Sequence, residues 1–162
     1  MRKLIILACF ALAAALTLSG CQKEQAAPVA APVVKPTSAS DTTGWKKYLV
    51  DVVKQNMKGM TSNRPYLYFI PGGDNDAAVS QRQNQFDNVN NVVRATVLPG
   101  NLMAFGGPES AKTADLIIGA FKDATAGSFK GVIVLFIGDQ ADKQRVADGI
   151  AASGAEYRFV QM

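Results

Sequence analysis

The chain has 162 residues with 17 Lys+Arg, 13 Asp+Glu, no His and two Cys, for a formal charge of +4. Without His there is no Ser-His-Asp or Cys-His nucleophile, no His-ligated zinc and no His-ligated haem. From Trp45 onward 13 basic residues face 11 acidic ones, so the body lacks the basic stripe of a nucleic-acid binder, and its length suits one domain with a real core.

Met1-Arg2-Lys3 is a short cationic stretch, followed by an apolar run from Leu4 to Leu16. Charge followed by a short apolar run and small residues is the pattern of an export signal rather than a membrane span. The run ends in Leu18-Ser19-Gly20-Cys21. These residues resemble the lipobox of bacterial lipoproteins, and the resemblance covers residues 1–22 only. It implies a signal peptide over 1–20, cleavage after Gly20, and a lipidated Cys21 at the mature N-terminus. Gln22 stands where members retained in the inner membrane often carry Asp, which implies an outer-membrane anchor facing the periplasm. Two or three acyl chains, at about 0.8 kcal/mol per buried CH₂, make a stable anchor. Cys9 leaves with the signal, so mature Cys21 has no partner for an intrachain disulfide.

Residues 22–44 carry prolines at 28, 32 and 36 among Ala, Val, Ser and Thr. Such a segment has too little apolar surface to offset its ordering entropy and reads as a tether. As a coil, 21–44 would reach roughly 25–30 Å. The globular domain is then 45–162. It opens with Trp45, Tyr48, Leu49, Val52, Val53, Met57 and Met60 at helical spacing, and Lys46, Lys47, Lys54 and Lys58 on the remaining faces. The helix suits docking on a sheet; the lysines and Trp45 would also suit lipid headgroups.

Beyond it the pattern alternates. Tyr66–Ile70 reads as a strand, and Asp74-Asn75-Asp76 offers an N-cap to a helix reaching about Arg94. Leu102–Phe105 is a second strand, followed by Pro108 at a first helical position and a helix ending near Gly127. Val132–Ile137 is an unbroken apolar strand, as expected of one buried on both faces. Gly138-Asp139 starts a helix ended by Gly154, and Tyr157–Val160 alternates like an edge strand. This predicts an α/β fold, a small three-layer sandwich of about four mostly parallel strands in the order 2-1-3-4, flanked by helices and preceded by the amphipathic helix. A competing parse makes Val92–Leu98 a strand hairpinned to Leu102–Phe105.

In such folds ligands bind outside the strand C-terminal ends where strand order reverses. Asp74, Asp76, Glu109 and Asp139 lie in the loops expected there. Carboxylates are hard-cation ligands, yet glycine turns and helix-start acids account for the same residues without a ligand. No catalytic set, metal or cofactor is assigned. Gly106–Thr113 has the spacing of a phosphate-binding loop, but Ala111 replaces the glycine that wraps the phosphates and Pro108 removes an amide donor, so no nucleotide is expected. Between Ala77 and Arg94, seven amides (Gln81, Gln83, Asn84, Gln85, Asn88, Asn90 and Asn91) make a polar face that suits a glycan, a protein partner or plain solvent. The resulting expectation is a lipid-anchored envelope protein, a non-enzymatic accessory with the membrane and an envelope protein as partners. The alternative is a metal-dependent hydrolase or small-ligand binder built on the acidic loops.

Overall fold

The computed structural model describes residues 34–162. The signal segment 1–20, Cys21 and the tether to residue 33 lie outside the described residues. The elements follow in the order α1 (Thr42–Gln55), β1 (Tyr66–Phe69), α2 (Asp76–Ala95), β2 (Leu102–Gly106), α3 (Ser110–Phe121), β3 (Ile133–Gly138), α4 (Gln140–Ile150) and β4 (Glu156–Gln161). Residues 92–95 complete α2, so the hairpin parse fails and the helix reading holds. Pro108 sits two residues before α3 rather than inside it, and α1 starts three residues upstream of Trp45. The α1 start is fixed by the Asp41 carboxylate, which accepts from the Gly44 N–H at 2.9 Å, while the Trp45 indole donates to the Ser38 carbonyl.

All four strands are parallel, as expected of alternating strands and helices, but their order is 1-2-3-4. The expected order 2-1-3-4 is therefore corrected: β1 is an edge strand, and β2 and β3 are central. The physical reason is visible in the side chains. Every residue of β2 and β3 is buried, whereas β1 has only four residues and exposes Tyr66. A strand covered on both faces and paired on both edges must be apolar throughout.

Sequential order also sorts the helices. Crossovers of one hand that step the same way across a sheet return on the same side. One core joins Met103, Phe105, Val134 and Phe136 to Val89 and Val93 of α2, Ala114 and Ile117 of α3, and Val146 and Ile150 of α4. The opposite parity, Leu102, Ala104, Ile133, Leu135 and Ile137, packs on Trp45, Tyr48, Leu49, Val52 and Val53 of α1. The sandwich thus carries three helices on one face and α1 alone on the other. Each large α1 side chain taken from water contributes about 1.5–3 kcal/mol. That burial spends the apolar stripe on the sheet and leaves the lysines outside. Arg158 of β4 closes the far end of α1, donating to the carbonyls of Asn56 and Lys58 at 3.0 and 2.6 Å. Among the described residues no helix is long and apolar enough to cross a membrane.

Candidate functional site

Because strand order never reverses, the sheet has no switch point and opens no crevice there. The strand C-terminal ends are instead tied together by their own side chains. Asp74 follows β1 and Glu109 follows β2, and the two meet at Lys112, one turn into α3. The Lys112 ammonium lies 2.7 Å from Asp74 Oδ1 and 2.6 Å from Glu109 Oε2, and donates to the Gly73 carbonyl at 3.0 Å. Glu109 takes the Gly73 N–H on its other oxygen. Arg82 of α2 donates to the carbonyls of Pro71 and Gly73 from beneath the same loop. Lys112 holds the carboxyls of Asp74 and Glu109 below the usual carboxylate range, helped at Glu109 by the Gly73 amide, and the two carboxylates raise Lys112 in return.

The other two acids stand apart from this cluster. Asp76 is the exposed first residue of α2. Asp139 precedes α4 without a side-chain cap; its backbone N–H donates to the buried Ser110 hydroxyl at 2.7 Å. Ser110 in turn donates to Asp142 at 2.5 Å, and Arg145 bridges Asp142 to Asp115. Burial pushes the Asp142 carboxyl up, but Ser110 and Arg145 outweigh it and hold it low. The structure therefore joins Asp74 to Glu109 and joins neither to Asp76 or Asp139. Among the described residues no three acidic, His or Cys side chains converge on a common point that would hold a metal ion. What the strand ends can do chemically is clasp loops to helices.

A polar groove lies elsewhere, at the C-terminal end of the edge strand β1. It measures about 360 Å³ and runs between Thr42 and Lys46 on α1, Phe69 and Pro71 at the end of β1, and the amides of α2, Gln81, Asn84, Gln85 and Asn88. A second hollow of about 340 Å³ shares Thr42, Phe69, Pro71 and Gln81 with it and extends the groove to Ala39 and Ser40. Among the described residues the Gln85 Oε1 behind the α2 wall, like the Ser128 hydroxyl elsewhere, is buried without a hydrogen-bond partner, although buried polar atoms are nearly always paired. The amide-rich run marks one wall in the sequence. The groove itself is invisible there, because it needs β1 at the edge with α1 and α2 on opposite faces. Lys112 and Arg82 are equally silent in the sequence. Only the i,i+3 spacing of Glu109 and Lys112 hints at their pairing.

Comparison of the chain with protein-family models, with curated proteins and with solved structures finds no match.

Proposed function

We propose that this is a lipid-anchored protein of the bacterial envelope, moored by an acylated Cys21 in the outer membrane and facing the periplasm, whose folded domain binds another envelope protein without catalysing a reaction. The observation that carries the reading is the Leu18-Ser19-Gly20-Cys21 sequence behind a cationic start and an apolar run. The absence of His from the chain supports the non-enzymatic part. So does the pairing of Asp74 and Glu109 with Lys112, which leaves them structural work. Mass spectrometry of the mature protein tests the anchor. Acyl chains on residue 21, with residues 1–20 removed, are expected; an intact Met1 or a bare thiol at Cys21 overturns it.

A metal-dependent hydrolase or small-ligand binder on Asp74, Asp76, Glu109 and Asp139 ranks second. It would first have to pull Lys112 away from two of these carboxylates. On the binding reading, millimolar Mg²⁺, Ca²⁺ or Mn²⁺ leaves the melting curve where it was. A melting temperature that climbs with metal concentration, as linkage requires of a ligand of the folded state, would reverse the ranking.

A further inference from the structure

Among the described residues the outer edge of β1 is an unused row of main-chain hydrogen-bonding groups, and a polar groove opens beside its C-terminal end at Phe69 and Pro71. Ile70 donates its N–H to Gly106 on β2. Alternate residues of a strand present their N–H and C=O to the same edge, so Tyr68 joins Ile70 in facing β2, and Leu67 and Phe69 face outward. Pro65 and Pro71 occupy the outward-facing positions on either side and have no N–H to offer. The exposed ladder is therefore short and bounded. The groove beside it continues its chemistry: α2 contributes the exposed primary amides of Gln81, Asn84 and Asn88, which donate and accept as a peptide group does. The β4 edge makes a contrast. There Tyr157 donates its hydroxyl to the Lys143 carbonyl and Arg158 is committed to α1 and Glu156, so its side chains are spent within the domain.

We infer that the outer edge of β1 receives an extended segment of a partner polypeptide as a fifth strand, paired with Leu67 and Phe69 and clasped where it leaves the edge by the α2 amides of the groove. This rests on the protein-binding reading above and specifies its site. Strand addition to a sheet edge draws affinity from main-chain bonds and specificity from the side chains alongside. The groove lining carries Lys46 and no carboxylate, which selects a segment with an acidic side chain at that point. A sugar chain fits less well, because the one aromatic wall, Phe69, is already covered by Lys46 Nζ at 5.7 Å from the ring centre. A second copy of the chain is also a poor occupant: its own groove carries the same Lys46 and no carboxylate, so it brings no acidic side chain to that ammonium.

The test uses the purified full chain with two probes, a phage-displayed library of random dodecapeptides and soluble N-acetylglucosamine oligomers. Peptides carrying an acidic residue are expected to be selected. Methylating their backbone nitrogens at alternate positions should weaken binding about tenfold or more, the factor for one good hydrogen bond, and at the intervening positions change it little. Asn84→Ala and Lys46→Glu should each weaken binding about tenfold, and Gln144→Ala on the far side of the domain should leave it unchanged. Melting curves of both groove variants should match the parent, which separates lost binding from lost folding. Saccharide binding with no selected peptide overturns the inference, as do peptides indifferent to methylation parity or to both variants. A dimer that Lys46→Glu dissociates, or selection of peptides only from a chain lacking residues 22–35, also overturns it by naming a different occupant. Acylated Cys21 with no peptide binding would sink this inference alone; peptide binding with a bare Cys21 would sink the anchor alone.

Discussion

The strand C-terminal ends and the outer edge of β1 are both rich in polar side chains, but they are opposites in what those side chains do. At the strand ends each of Asp74, Glu109, Lys112, Ser110 and Asp142 has a partner inside the domain. Along β1 the Gln85 carbonyl and the outward main chain have none among the described residues. A paired polar group stabilises the fold, and its loss leaves the partner unsatisfied; a buried unpaired one costs the fold, and the outward main chain of an edge strand is free for a ligand. Charge density alone points to the wrong end of the molecule. Main-chain pairing, used up on one side of β1 and open on the other, points to the edge.

If the contrast is real, substitutions at the strand ends should cost stability. The largest effect is expected at Gly107, where an added Cβ would lie 1.9 Å from the Ile70 carbonyl oxygen. Backbone is all that the methyl meets, so Gly107→Ala must part β1 from β2 and should cost about 3 kcal/mol. Denaturant unfolding of that variant at a midpoint equal to the parent's would show that the strand ends are not tightly joined. Ser110→Ala comes next. It strips the acceptor from the Asp139 N–H and the donor from Asp142 in a buried setting, and about 2 kcal/mol is expected.

The acid limb of stability is a smaller, sharper probe of the same cluster. Asp74 and Glu109 are held low by Lys112. A depressed folded pKa gives stability that is fully present above the unfolded carboxylate range and is lost as pH falls through the folded value. Melting temperatures should therefore drop below about pH 4, where model carboxylates begin to protonate, and Lys112→Met should flatten that drop while lowering the plateau at neutral pH. An acid limb identical in parent and variant would mean that the ammonium does not tune these carboxylates.

Much of the fold is legible in the residues. Val132–Ile137 announces a buried strand by its unbroken apolar run, Asn75 caps α2 from within the acidic triplet, and the α1 stripe docks on the sheet as its spacing suggests. Strand order is harder to read, because helical periodicity reports that a helix has a buried face and not which side of the sheet that face meets. The clue lies in composition. Tyr66-Leu67-Tyr68-Phe69 is short and follows Pro65, whereas Leu102–Gly106 has no polar residue at all. Those are the marks of an edge strand and a central one. At the candidate site Asp74 and Glu109 are readable as strand-end acids, but the lysine that joins them reaches across 38 residues of chain to Asp74. Local spacing carries no signal at that distance. The groove fails to show for the same reason: its three walls come together only through topology.

The smallest expected effect discriminates best between the two regions. Gln85→Leu keeps most of the side-chain volume and deletes an oxygen that is buried without a donor. Nothing in the domain is left unsatisfied by its removal, so stability should stay level or rise, by about 0.5 kcal/mol at most. Ser110→Ala also deletes one polar oxygen, but from a place where two neighbours depend on it. Measured side by side in the same denaturant, the two variants should differ by roughly 2 kcal/mol with opposite tendencies. Equal losses would mean that the Gln85 carbonyl meets a donor within the folded chain. The α2 wall of the groove would then be one more clasp, held as the strand ends are.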